Sequence, residues 1–392
     1  MTKSNESSGK ESTISANEYA GSISDIVKAG EAAALQLDNR GPVRYDANGE
    51  IHKDILRAYS QYGFYVFTNL IADAEIEDLR TEMNSVLARA PVGPDSELDA
   101  KGNTAIGMDF AQNPFQFAKP LSDPFGGTDA LQGRYEVKLA EPEAAADAPD
   151  YTVVLVKANP QLMDSCLRLY GHPDLLSIVE AVIGPDFAPF CNNTFVKEPG
   201  LGAAVSWHQD GTTHWDNPDL DEDTHGFNLM INLYQSNGSN GVWVVPGTHK
   251  KGKLDLKSMV RDAGTERLPG AVPLLCDAGD VIINNRQLVH GSFANTSPDR
   301  RVSIGIGFFP YKSVLNVTTE RHADGALGTY TAERIRDRSR VIQVAIDARQ
   351  QKYPNERRFS YAPFVGEEDQ NRWNDDTRKN VVRDYYLLDM SI

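Results

Sequence analysis

The apolar positions of this chain change period along its length, and each change marks a part. Ile51, Ile55, Leu56, Tyr59 and Tyr62 recur at helical spacing, which predicts an amphipathic helix burying one stripe. Gly63-Phe64-Tyr65-Val66-Phe67 then reads as a short β-favouring strand. Leu79, Met83 and Val86 restore the helical period to about Ala88, with Asp73 placed to cap that helix. Further upstream, the alanine-rich residues 23–37 predict one more helix. Residues 1–20 are polar throughout and read as a disordered leader.

Residues 91–150 are rich in Pro, Gly and Ala and predict long loops with short elements. A stretch of that length fits an insertion, or a lid over a site. From residue 151 to 311 the texture becomes short β-branched and aromatic runs, at 151–157, 189–196, 227–234, 242–245, 281–283 and 302–310. Clusters of Gly, Pro, Asn and Asp divide them, and one helix over 161–183 interrupts them. Many short strands with turn signals predict a mainly β core, sandwich or barrel, with flanking helices. The tail adds a charged helix over 332–351 with Ile335, Val341, Ile342, Val344 and Ala345 on its buried face, then a polar and aromatic end. The organisation expected is a leader at 1–20 and one domain over 21–392. That domain has a helical part at 21–90, the insertion or lid at 91–150, the β core at about 151–311, and a C-terminal helical extension at 330–392.

Composition narrows the class. With 40% hydrophobic and 24% charged residues the chain is globular rather than disordered. Its net charge of −16, from 39 Lys+Arg against 55 Asp+Glu, opposes phosphate backbones and anionic lipid. Nucleic acid and membrane surfaces are therefore not expected partners. Cys166, Cys191 and Cys276 are far apart and make neither a disulfide framework nor a Cys-rich zinc site. No run has the roughly 18 apolar residues of a membrane span, and the polar start has no secretory h-region. A cytoplasmic location is the expectation.

The candidate chemistry lies among the eight histidines. In Ser206-Trp207-His208-Gln209-Asp210, side chains two apart on a strand would share a face, so His208 and Asp210 can aim an imidazole and a carboxylate at one point. A third ligand would complete the 2-His-1-carboxylate triad that leaves positions open on Fe(II). His290, in Leu288-Val289-His290-Gly291-Ser292, is one candidate, and His249, in Pro246-Gly247-Thr248-His249, is its rival; spacing alone does not choose. Arg301 opens an apolar strand, where a buried guanidinium would need a partner. A dicarboxylate gripped by paired hydrogen bonds would supply one. Taken singly, His-x-Asp also fits a hydrogen-bonded pair, and Arg300-Arg301 a solvated pair.

Together these residues resemble the phytanoyl-CoA dioxygenase family. The resemblance is carried by Trp207-His208-Gln209-Asp210, the run from Asn240 to Lys250, Gly279-Asp280-Val281, and His290-Gly291-Ser292 with Asn295 and Arg301. It extends from about Tyr62 to Phe309. It implies a double-stranded β-helix, or jelly-roll, and an Fe(II)- and 2-oxoglutarate-dependent dioxygenase consuming O2. His208, Asp210 and His290 would then be the iron ligands, with His249 in a nearby turn. Arg301 would hold the distal carboxylate of 2-oxoglutarate, with Ser303 or Ser292 adding a hydroxyl and Asn193 or Lys197 a further contact. Related halogenases replace the carboxylate ligand by a small residue; Asp210 is intact, which favours oxygenation.

For the substrate, Trp215 could stack on a ring or a cation, with His214 beside it, ahead of an acidic loop. The overall negative charge favours a small neutral or cationic metabolite over a polyanion. Hydroxylation of an unactivated C–H in a metabolite or natural-product intermediate is the leading expectation. The alternatives are an oxygenase acting on a macromolecule, or a metal-binding jelly-roll without redox chemistry, an isomerase or binding protein.

Overall fold

The β-branched runs form strands in the computed structural model, which describes residues 14–129, 133–211, 215, 226–321 and 325–390. Chain order gives β1 (Arg40–Gly41), β2 (Phe64–Phe67), β3 (Phe115–Ala118), β4 (Thr152–Val156), β5 (Phe187–Lys197), β6 (Val205–His208), β7 (Phe227–Asn232), β8 (Trp243–Val244), β9 (Val272–Pro273), β10 (Val281–Asn285), β11 (His290–Ser292) and β12 (Arg301–Pro310). Among the described residues they build an eight-stranded sheet, ordered β1-β2-β10-β7-β12-β5-β4-β3, and a four-stranded sheet, ordered β6-β11-β8-β9. Among the described strands of these two sheets, β1 alone runs parallel to its neighbour. The strands from β5 to β12 pair first with last: β5 with β12, β6 with β11, β7 with β10 and β8 with β9. That nesting is the double-stranded β-helix, so the mainly β jelly-roll expectation holds.

Alternation along β12 sets the layers. Val302, Ile304, Ile306 and Phe308 join Phe227, Leu229 and Ile231 of β7 in the main apolar core. Helix α1 (Ala16–Leu35) packs elsewhere, but α2 (Lys53–Tyr62), α3 (Asp73–Ala88), α4 (Asp164–Leu169) and α5 (Pro173–Ile183) cover this face. The C-terminal helix α6 (Ala332–Lys352) joins them through Val341, Ile342, Val344 and Ala345. Each fully buried Val, Leu, Ile or Phe stabilises this layer by about 1.5–3 kcal/mol. The other face of β12, carrying Arg301, Ser303 and Gly305, turns inward. The small sheet closes over that side, its back covered by Trp207, Trp243 and Phe293 against Tyr19, Ile23 and Val27 of α1.

Several local expectations change. Helix α1 begins at Ala16, because Ser15 and Glu18 form a capping box, so residues 16–20 are helical rather than leader; residues 1–13 lie outside the described residues. Asp73 is the first helical residue, not the cap; Ala72 takes the cap position with no side-chain hydrogen bond. The expected helix over 161–183 is broken, since Pro173 lacks an N–H and sits at the start of α5 with His172 capping. Within 91–150, β3 pairs with β4 and extends the large sheet. Among the described residues no helix is long and apolar enough to cross a membrane.

Candidate active site

Strand β6 ends on His208 and β11 begins on His290, and the two are direct register partners. Their rings lie 4.0 Å apart between centroids. His208 Nδ1 is 2.8 Å from the Ser206 carbonyl, and His290 Nδ1 is 2.8 Å from the Leu288 carbonyl. A carbonyl only accepts, so each Nδ1 carries the proton and donates it, leaving each Nε2 with its lone pair. Strand β6 ends at His208, so Asp210 lies two residues beyond it rather than on the same strand as expected, with Oδ1 3.6 Å from His208 Nε2. One ligand atom from each of His208, Asp210 and His290 falls within 4.8 Å of the others, and among the described residues this is the one such group. Burial holds both imidazoles neutral: His208 is pushed well below the usual histidine range and His290 down to about 4.

Across from them, the inner face of the large sheet is polar. Arg301 is 2% exposed, and its Nε and Nη1 have no hydrogen-bond partner among the described residues. Desolvation alone brings its pKa down to about 10. Its neighbour Arg300 points the other way and pairs with Glu198 at 2.7 Å, so the two arginines are not a solvated pair. Lys197 is the register partner of Arg301 on β5. It too is buried and donates to the Phe293 carbonyl at 2.5 Å. Burial first, and then the charge of Arg301, hold the Lys197 ammonium well below the ordinary lysine range. A cavity beside the pair is lined by Phe125, Leu155, Phe195 and Ala204 as well as Lys197 and Arg301.

The other expected residues fall in different places. Ser303 shares the inner face with Arg301 and donates to Asn232 Oδ1 at 2.6 Å. Asn193 lies on the same face as the register partner of Gly305. Ser292 is buried on β11, two residues from His290. His249 is not part of the cluster: it sits in a turn with Nε2 3.1 Å from the Ser60 carbonyl, packed against Gly63. Trp215 turns its indole N–H back to the Gly211 carbonyl at 3.1 Å. His214 lies outside the described residues.

Four residues at the site had no part in the sequence reading. Asn228 of β7 donates to Asp210 Oδ2 at 2.9 Å, joining the two sheets at the cluster. Its signal was legible: Asn228 and Asn232 alternate with Leu229 and Ile231, the mark of a polar inner face. Arg286 is buried between Phe190 and Phe309, each ring 4.7 Å from its guanidinium, with Nε 4.0 Å from Asp210 Oδ2. Arg134 forms an ion pair with Asp210 Oδ1, and the Tyr135 ring lies 4.6 Å from that of His208. Both come from the 91–150 stretch, where nothing in the local pattern singles them out.

The phytanoyl-CoA dioxygenase (PhyH) family model matches residues 59–303, which include every residue of the cluster and Arg301. The chain belongs to that family. Phytanoyl-CoA dioxygenase 1 of Oryza sativa subsp. japonica is 32% identical over 275 residues, covering 66% of this chain and 89% of the rice protein. Among solved structures, EctD from S. alaskensis with 2-oxoglutarate and 5-hydroxyectoine is 17% identical, with 70% of this chain and 82% of that one covered and a TM-score of 0.47. EvdMO1 is 22% identical at a TM-score of 0.44; the match covers 65% of this chain and about half (49%) of EvdMO1. As a PhyH-family member the chain is an Fe(II)- and 2-oxoglutarate-dependent dioxygenase.

The donor set fits those groups. Two neutral imidazoles with oriented Nε2 atoms and one carboxylate suit Fe(II), and carbonyl acceptors behind each ring fix its tautomer. The buried Arg301 guanidinium, whose Nε and Nη1 have no partner among the described residues, lies beside Lys197 and suits the far carboxylate of a dicarboxylate.

Proposed function

We propose that this dioxygenase oxidises an unactivated C–H bond of a small-molecule metabolite or natural-product intermediate, most simply by hydroxylation. The observation that carries the reading is the convergence of His208, Asp210 and His290 at the open end of the small sheet, opposite the polar inner face of the large one. When bound, Fe(II) with 2-oxoglutarate and O2 supplies the oxidising chemistry, and 2-oxoglutarate leaves as succinate and CO2. His208 and His290, with their Nε2 lone pairs free of the carbonyls, and Asp210 would hold the metal. The Ser206 and Leu288 carbonyls orient the two rings, and Asn228 keeps Asp210 Oδ2 turned away from the metal. Arg301 would grip the distal carboxylate of 2-oxoglutarate, with the Lys197 amine beside it on the neighbouring strand as a further donor. Ser303 steadies that end through Asn232, and Asn193 lies along the same face. Tyr135 and Phe125, stacked at 5.3 Å, cover the His208 side and exclude water.

A binding protein without redox chemistry would gain nothing from the buried Arg301, whose unpaired N–H groups cost stability unless a carboxylate meets them. The test is an anaerobic titration of metal-free protein with Fe(II) and then 2-oxoglutarate, followed by the weak visible charge-transfer band of the chelate. The band should form in wild type and be absent in His290→Ala. No band in wild type, with Fe(II) bound, would end the reading.

A further inference from the structure

The whole-chain charge favoured a neutral or cationic substrate, but among the described residues the charged groups nearest Asp210 other than the cluster itself are cations, Arg134 and Arg286. The Asp123 carboxylate fastens the loop that brings Arg134 there. It accepts from Gly126 N at 3.2 Å, Leu139 N at 2.9 Å and the Ser206 hydroxyl at 2.9 and 3.0 Å. Ser206 lies two residues before His208, so the loop is tied to the strand that presents the cluster. From it rise Tyr135, against His208, and Arg134, whose guanidinium lies 5.5 Å from the Tyr135 ring. The Arg134 side chain is 16% exposed, and its Nε is buried with no hydrogen-bond partner among the described residues.

Arg134 rests on Asp210 Oδ1, the oxygen that faces His208 Nε2. Oδ2 is taken by Asn228, with Arg286 at 4.0 Å. A dication held by His208, Asp210 and His290 would compete with the Arg134 guanidinium for the Asp210 carboxylate and repel it. Asp210 would then face two arginines and a dication with a single negative charge. The co-substrate brings two carboxylates, but Arg301 and Lys197 engage one and the metal draws the other. Arg134 is left with a charge that its fixed, mostly buried position cannot hydrate well.

Resting on the reading of the site as an Fe(II)/2-oxoglutarate centre, we propose that Arg134 is the specificity-determining anchor for a substrate that carries a carboxylate. The guanidinium offers paired N–H donors to that carboxylate. The net charge of −16 is spread over the whole surface, whereas the field within a low-dielectric cleft is set by the groups that line it.

The test uses full-length Zn(II)-loaded protein saturated with 2-oxoglutarate, which binds without turning over. It is titrated with acetate, benzoate and phenylpropanoate and with the primary amides of the same three acids, binding being read by ligand-observed NMR. Wild type should hold its best acid about tenfold or more tighter than the matching amide, as expected for a charge-assisted hydrogen-bond pair. Arg134→Lys should keep a preference. In Arg134→Gln the preference should fall to about twofold or less while the 2-oxoglutarate Kd moves by less than about threefold. Zn(II) should be taken up at least as tightly by Arg134→Gln, since a competing cation is gone. Equal binding of acid and amide by wild type, or none of either, overturns the anchor. A preference that survives Arg134→Gln overturns the role of Arg134. A loss of about tenfold or more in 2-oxoglutarate affinity in Arg134→Gln would place the pairing on the co-substrate's own carboxylate and overturn substrate selection. If wild type takes up neither Zn(II) nor 2-oxoglutarate, the oxygenase reading itself falls and takes the proposal with it, a result separate from all of these.

Discussion

Replacing Arg301 by Met should make the protein more stable and at the same time unresponsive to 2-oxoglutarate. Burial alone brings the Arg301 pKa to about 10 from an ordinary value above 12. At about 1.4 kcal/mol per pH unit, the folded protein at neutral pH carries a cost of about 3 kcal/mol for this one charge. The Nε and Nη1 nitrogens, which have no hydrogen-bond partner among the described residues, are the structural counterpart of that cost. Met keeps much of the aliphatic stem and removes the charge, so a net gain of about 1–3 kcal/mol is expected after imperfect packing is subtracted. Urea unfolding of metal-free protein, followed by circular dichroism, measures it, and the slope with denaturant should not change. The sign with pH follows from a lowered cationic pKa. The unfolded chain binds the proton more tightly, so the penalty is complete at neutral pH and is relieved as pH rises through about 10, where the gap between variant and wild type should shrink. In the Zn(II)-loaded protein, 2-oxoglutarate at a hundred times its Kd should stabilise wild type by about 2.7 kcal/mol and leave Arg301→Met unmoved. A variant less stable than wild type without ligand, or equal stabilisation of both by 2-oxoglutarate, would refute the reasoning.

Other outcomes follow from the same contacts. Asn228→Ala removes the donor on Asp210 Oδ2 and should weaken Zn(II) binding about tenfold or more by calorimetry, with the fold retained. His290→Ala should abolish Zn(II) uptake, whereas His249→Gln should leave it unchanged, because His249 is engaged at the Ser60 carbonyl. Ser206→Ala strips a donor from the buried Asp123 carboxylate; a loss of about 1–3 kcal/mol is expected, with faster amide exchange at Gly126 and Leu139. His172 accepts from Asp174 N and is held well below the usual histidine pKa by burial, then by Arg349 and Arg357. A neutral buried histidine contributes stability that is complete above its ordinary pKa of about 6.5 and is lost as pH falls below it. His172→Asn, which can cap the same helix, should flatten that acid-side slope in denaturation curves; an unchanged slope would assign it elsewhere.

What the sequence determined by itself is local or periodic. β-Branched and aromatic runs bounded by turn residues gave β4, β5, β7, β10 and β12 to within a few residues, because such side chains fit the pleated, buried surface of a strand. The short elements were harder: β9 and β11 are too brief to show a period, and β3 lay within a stretch that reads as loop. His208 and Asp210 were legible because they stand two apart at a strand end, although the strand itself stops at His208. Tertiary structure alone brought His290 to His208, through pairing of β6 with β11 across 82 residues of chain, and set His249 apart against Gly63. Neither follows from spacing, since both histidines stand in similar Gly- and Ser/Thr-flanked segments. The same holds for Arg134, Tyr135 and Arg286, whose neighbours in sequence say nothing of Asp210. Among the described residues, the cations nearest Asp210, Arg134 and Arg286, are likewise placed by the fold and not by composition. Net charge sums every side chain equally, but a site responds to the few that face it, and only the fold selects which those are.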